Sequence, residues 1–386
     1  MRRGAQGSRL EVVASEPDRD RFIDLVRVTS MVTVVVLHWL SVMPSLVNGK
    51  VVDQNVVALI PGLWPLTWIG DVMALFFFAG GYANWVSLTK SLRRGESNGL
   101  FLARRLRRLL GPTFIFLGVW LGLDLLMRAV GLSSWSPLRH VAIGNTIPFG
   151  PLWFLGVYLV VVILSPWTAA AHRRWGIAVP LVMLAGVAVA DSQAFVRDSG
   201  TPLAANLLLV WLIPHQLGYF YADGSLQRLS VKACAAMAAT GLVILAVLSS
   251  LPYYPRSLIN PRWTVLSIDG PMLSLVADGL FLLGVALVLR RPAEALLADS
   301  DRWRAVSAAN DLTMPVYLWH MSAYLVAIAL LARLGAHFVY STDASAQWWW
   351  GRPAVIILSA LVLSGFLALL AWIAQLARKT RLPVSR

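Results

Sequence analysis

The sequence predicts an all-α integral membrane protein of about ten transmembrane helices, with both termini cytoplasmic. Three observations carry that reading. Of 386 residues, 58% are hydrophobic and only 13% are charged, against about 25% charged in a soluble domain. Apolar runs long enough to cross a bilayer recur along the whole chain. Lys and Arg concentrate in alternate connecting segments, as cytoplasmic loops require.

The apolar runs place spans near 22–43, 67–88, 110–131, 151–168, 177–190, 203–222, 233–251, 271–289, 312–335 and 353–376. A hydrocarbon core needs about 20 apolar residues per helix; the fifth run falls short of that and contains Pro180. With both termini inside, the inner segments hold 24 Lys or Arg and the outer segments eight, while Arg27 lies within a span. The formal charge of +14 is therefore topological, and no nucleic-acid partner is expected. The first apolar run is longer than the 7–15 residues of a signal-peptide core, so it is expected to be retained. The predicted organisation is a loose cytoplasmic tail over 1–20, one ten-helix membrane domain over 21–377 and a basic cytoplasmic tail over 378–386.

A single cysteine, Cys234, excludes intrachain disulfides and cysteine-based metal sites, and no other metal-binding spacing is present. Its Ala-rich surroundings, "KACAAMAAT", mark it as a small core residue. The outer segments are aromatic, as in "LPYYPRSLINPRW" and "STDASAQWWWGRP". Such residues anchor a protein at the headgroup level; a carbohydrate-stacking platform is the alternative. Neither a period of 20–50 residues nor an inverted repeat is visible. Oligomeric state is not readable from the sequence.

The first span, "RFIDLVRVTSMVTVVVLHWL", carries Asp24, Arg27 and His38. Ionisable groups are costly at helix centres, about 2.5–3.5 kcal/mol each on insertion scales, and usually face a protein-lined cavity. Eleven residues at 100° each bring His38 within about 20° of the Arg27 face, roughly 16 Å along the axis. Asp24 shares that face. The second span, "TWIGDVMALFFFAGGYANW", places Asp71 at a depth comparable with His38, and Gly80–Gly81 permits close helix approach. A carboxylate orienting a histidine is a known acyl-transfer device, but contact between Asp71 and His38 is not readable from sequence. Further candidates are His215 in "WLIPHQLGYFYADG" and Tyr317 and His320 in "LTMPVYLWHM". The cluster Arg104, Arg105, Arg107 and Arg108 precedes Gly111–Pro112. It reads equally as inner-face anchoring and as a phosphate site, since guanidinium groups bind phosphate bidentately.

The Arg-x10-His of "RVTSMVTVVVLH", the "RRLRR" cluster, "FGPLWFLGVYLVVVILSP" (149–166) and "YLWH" (317–320) resemble the acyltransferase-3 family of membrane-bound acyltransferases. The "FFFAGGYAN" and "PHQLGYFYADG" stretches look more like an actinobacterial envelope-modifying branch, which includes enzymes acetylating mycolate glycolipids. The resemblance implies transfer of an acyl group, usually acetyl, from cytoplasmic acyl-CoA to a hydroxyl on an outward-facing glycolipid or glycan, at a bacterial plasma membrane. It assigns His38 as the essential histidine, Arg27 as the motif arginine and Arg104–Arg108 as the Arg-x-x-Arg region. Trp153, His215, Tyr317 and His320 are expected to support the substrates, and Asp24 and Asp71 to assist His38. Acyl-CoA is the implied co-substrate, with no metal. A histidine with an ordinary pKa near 6.5 suits the role of base toward an alcohol; an acyl-histidine intermediate is the other route. A proton-coupled transporter or flippase would use the same intramembrane residues, and a non-catalytic scaffold would not need His38.

Overall fold

The computed structural model describes residues 19–47, 50–60, 62–131, 148–197, 203–258, 272–340 and 344–379. The two expected tails thus lie almost wholly outside the described residues, as does much of the aromatic outer segments. Each of the ten predicted spans corresponds to a helix. These are α1 (Arg21–Ser41), α4 (Met73–Arg93), α5 (Asn98–Ala129), α6 (Leu152–Trp175), α7 (Ala178–Arg197), α8 (Leu203–Ala222), α9 (Val231–Ser250), α10 (Leu273–Val288), α13 (Thr313–Arg333) and α14 (Ala346–Lys379). Shorter helices are α2 (Val56–Leu59), α3 (Pro65–Gly70), α11 (Arg290–Leu296) and α12 (Ser300–Asp311). Seven spans are individually long and apolar enough to cross a membrane, α3 and α4 counting as one, and α10 with α11 forms an eighth bent by 49°. Among the described residues, α7 is apolar over Ala178–Gln193.

Three departures from the predicted spans have local causes. The second span breaks at Asp71, which leaves the helical region (φ −79°, ψ 70°) between α3 and α4. α5 begins twelve residues before its expected start near 110, because the arginine-rich turns continue the helix behind a Ser97 cap that accepts the Leu100 N–H. Between α1 and α2, strands β1 (Val42–Val47) and β2 (Lys50–Asn55) pair antiparallel, Val47 opposite Lys50. The signal for that ribbon is the Asn48–Gly49 pair between two valine-rich runs, the commonest short-hairpin signature.

Small residues set the helix crossings. A Cβ on Gly81 of α4 would stand 1.9 Å from the His215 carbonyl oxygen of α8, and one on Gly218 would stand 2.2 Å from the Phe78 carbonyl oxygen. Gly241 of α9 and Gly284 of α10 make the reciprocal contact: a Cβ on either would stand 2.4 Å from a backbone nitrogen of the other helix. Such approach is how membrane helices gain packing where lipid offers no hydrophobic drive. The expected role of Gly80 is filled differently: it makes room for the Tyr158 side chain of α6. Asp191 ties three elements together at one end. Its buried carboxylate accepts from Asn206 Nδ2 of α8 (2.8 Å), the Tyr254 hydroxyl (3.1 Å) and the backbone N–H of Leu273 (2.8 Å) at the start of α10. Cys234 is buried among apolar side chains, as expected.

Gly81→Val is expected to destroy the α4–α8 contact, giving aggregated protein on size exclusion. Gly111→Ala, where a Cβ meets open space, is expected to elute and melt like the wild type.

Candidate active site

α1 and α13 run side by side and parallel, and they bring two histidines together. The rings of His38 and His320 meet edge to face, centroids 5.2 Å apart. Each ring is fixed by its own helix: His38 Nδ1 lies 2.7 Å from the Val34 carbonyl oxygen, and His320 Nδ1 lies 2.7 Å from that of Tyr317. A carbonyl only accepts, so in the neutral rings both Nδ1 atoms carry the hydrogen and both Nε2 atoms carry the lone pair. His320 Nε2 is buried and has no hydrogen-bond partner. Around the pair, Trp39 donates its indole N–H to the His320 carbonyl (3.0 Å), and Tyr317 donates its hydroxyl to the Pro151 carbonyl before α6 (2.6 Å). One turn further along both helices, the Tyr324 hydroxyl donates to the Val42 carbonyl (2.6 Å). Arg352 of α14 approaches the same oxygen at 3.4 Å and stacks over the Trp348 ring at 3.9 Å. The His38 turn is therefore clamped on both sides.

At the other end of α1, Asp24 does not pair with Arg27. Its carboxylate binds Arg19 and accepts from Asn310 Nδ2 of α12 (3.1 Å). Arg19 continues to the Ser307 hydroxyl (3.0 Å), and both Arg19 and Arg21 lie over the Trp303 ring. Asp24 thus clasps α1 to α12, fourteen residues or about 21 Å from His38. Among the described residues Arg27 makes one hydrogen bond, its Nη1 donating to Asn310 Oδ1 at 3.4 Å, and the Asp24 carboxylate is an electrostatic neighbour.

The arginine cluster divides. Arg104 turns back to Glu96 and also donates to the Ser91 hydroxyl. Hydrogen bonds from Arg104 and Ser91 hold the half-buried Glu96 carboxyl down at about 2. Arg107 and Arg108 are exposed. Arg105 turns into the bundle, where its Nε–H donates to Asn84 Oδ1 of α4 at 2.8 Å. Its electrostatic neighbours are Tyr158 and the guanidinium groups of Arg27 and Arg108. Three cations from α1 and α5 are therefore electrostatic neighbours, and the described hydrogen-bond partners of Arg27 and Arg105 are uncharged amides. Like charges converge stably where an anion completes the set.

Asp71 is at the depth expected from sequence, because Gly70 beside it packs against Leu37 of α1. Its carboxylate accepts the Met73 N–H (3.4 Å) and faces Asp278 of α10; among the described residues it makes no hydrogen bond to His38. Trp153 lies against Phe154 and Trp211, away from the histidine pair. His215 lies on α8 and is bonded to Asn84 (3.0 Å). Sequence reasoning missed Asn84 and Asn310, whose residue type carries no chemical signature on its own, Arg352, which lies in an outer segment, and Asp278, an acid within a predicted span that the rule for intramembrane charges would have found. It also missed His172, which sits in a basic helix end. There its Nδ1 accepts from Gln216 (2.9 Å) and its Nε2–H donates to Asp223 (3.0 Å).

No curated protein and no solved structure matches the chain. The sequence model of one family, described as an acyltransferase domain, matches residues 20–373. That stretch contains every helix from α1 to α13, nearly all of α14, the histidine pair and the arginine convergence. The chain belongs to the acyltransferase-3 family of membrane acyltransferases.

Proposed function

We propose that the protein moves an acyl group, most simply acetyl, from acyl-CoA at the arginine-bearing end of the bundle to a hydroxyl presented at the opposite end. In this reading the basic end faces the cytoplasm of a bacterial cell, and the acceptor is an envelope glycolipid or glycan. The observation that carries it is the His38–His320 pair, whose Nδ1 bonds leave Nε2 of each ring as the basic nitrogen.

The chemistry follows from the geometry. A thioester is already activated, so the reaction needs the alcohol proton removed as its oxygen attacks. His38 Nε2 takes that proton, the oxygen bonds to the thioester carbon, and the C–S bond breaks. The CoA thiolate then takes the proton back from the imidazolium, leaving an ester and free CoA. Arg27, Arg105 and Arg108 hold the donor's phosphates. The 11 residues from Arg27 to His38, about 16 Å of helix, are spanned by the pantetheine arm. Charged nucleotide therefore never crosses the apolar part of the bundle.

The test is incubation of purified protein in nanodiscs with radiolabelled acetyl-CoA, with and without envelope lipid extract. CoA release that needs the extract and is lost in His38→Ala supports acyl transfer, and the labelled product identifies the acceptor. Equal release from the variant removes His38 from the mechanism and brings the transporter reading forward. Among the arginines, Arg105→Ala is expected to raise the donor KM at least about tenfold, since a charge-assisted hydrogen bond contributes about 1.5–3 kcal/mol. Arg104→Ala, whose charge already belongs to Glu96, is expected to change it less than about twofold.

A further inference from the structure

We infer that Asn84, itself held by His215, is the positioning residue that aims Arg105 at the donor's phosphates; the inference rests on the donor site proposed above. The donor and acceptor roles in the chain Arg105–Asn84–His215 are forced. Arginine only donates, so the Asn84 atom facing its Nε at 2.8 Å is the amide oxygen. The amide nitrogen then donates, and His215 Nε2, 3.0 Å away, accepts. A ring that accepts at Nε2 is neutral with its hydrogen on Nδ1. That Nδ1 is buried without a partner. A buried donor left unpaired is destabilising, a conflict of the kind found at functional sites. The orientation of the His215 ring is thus set by what it does for Asn84.

The choice of an amide is informative. Asn84 and His215 are both completely buried, and a carboxylate at position 84 would grip Arg105 more strongly. It would also neutralise it, as Glu96 neutralises Arg104. The amide fixes the guanidinium plane through Nε and leaves the charge whole. Among the described residues the terminal nitrogens of Arg105 have no partner, so its forked face stays available for a phosphate. Arg27 is treated in the same way, through Asn310 Oδ1. Two cations from different helices are therefore each hydrogen-bonded by a neutral amide, and in Arg105 that leaves the charge whole. The close α4–α8 crossing at Gly81 and Gly218 places Asn84 against His215.

The experiment uses full-length protein in nanodiscs, binding of radiolabelled CoA, and kinetics with two donors. One donor is acetyl-CoA; the other is S-acetylpantetheine, which lacks the nucleotide and its phosphates. Asn84→Leu is expected to weaken CoA binding and raise the acetyl-CoA KM about tenfold, with kcat retained and the S-acetylpantetheine KM unchanged. Asn84→Asp keeps an acceptor for Arg105 but cancels its charge, and is expected to weaken CoA binding at least as much. It also serves as the second variant if Asn84→Leu does not fold. Wild-type CoA affinity in either folded variant, with Arg105→Ala impaired, overturns the inference and leaves the donor site standing. Equal losses with both donors also overturn it, because they mark a general disturbance. Failure of the wild type to bind CoA removes the donor reading and the inference together.

Discussion

Polar side chains inside a lipid-spanning bundle have only the bundle to bond to, and an unpaired one is costly. That constraint sorts the buried polar residues into two kinds. His172 and Asp191 have their bonding capacity filled by protein on several sides. They fasten helices and have nothing left to offer a substrate. Among the described residues, His38, His320, Arg27 and Arg105 are each fixed from one side by neutral hydrogen-bond partners, which settles orientation and leaves the other side open. In the histidines the partner is a carbonyl from the preceding turn; in the arginines it is a neutral amide. Partial satisfaction by a neutral group makes a side chain both ordered and usable.

The two open sets are linked by one helix. α1 carries Arg27 and His38 on nearly the same face, and it is clamped at both ends. Arg19, Asp24 and Asn310 bind its first turns to α12, while Tyr324 and Arg352 bind its last carbonyl to α13 and α14. The second clamp explains a buried arginine that has no carboxylate partner among the described residues. Arg352 lies at the C-terminal, negative end of α1 and over the Trp348 ring, and both attract a cation.

Much of this was legible in the sequence. The ten helices follow from hydropathy because the bilayer demands long apolar segments, and the shared face of Arg27 and His38 follows from helical periodicity. What was illegible depends on which helix meets which. Arg104 and Arg105 are adjacent and chemically identical, yet 100° of helix phase sends one to Glu96 and the other into the bundle. Asn84 looks unremarkable in "GGYANW" until α8 arrives with His215. Asp24 shares the Arg27–His38 face on the helical wheel, but α12 holds it away from His38 and supplies Arg27 and Asp24 with one shared asparagine. The Asn-Gly ribbon carried a plain signal that the weight of apolar runs obscured.

A helix clamped at both ends has a fixed length, and that has a chemical consequence. If Arg27 and its neighbours hold the donor's phosphates, the distance to His38 is set by the rise of eleven residues and cannot adjust to the ligand. Correct donors are then recognised by reach as well as by charge: only an arm that spans from the convergence to the histidines brings a thioester to the base. Positioning of this kind lowers the barrier by fixing the approach before reaction. It also separates the two substrates in space, the donor entering along α1 from the arginines and the acceptor meeting it at the His38 turn. On the proposed reading, the rigidity of α1 takes the place that a closing lid has in a soluble enzyme.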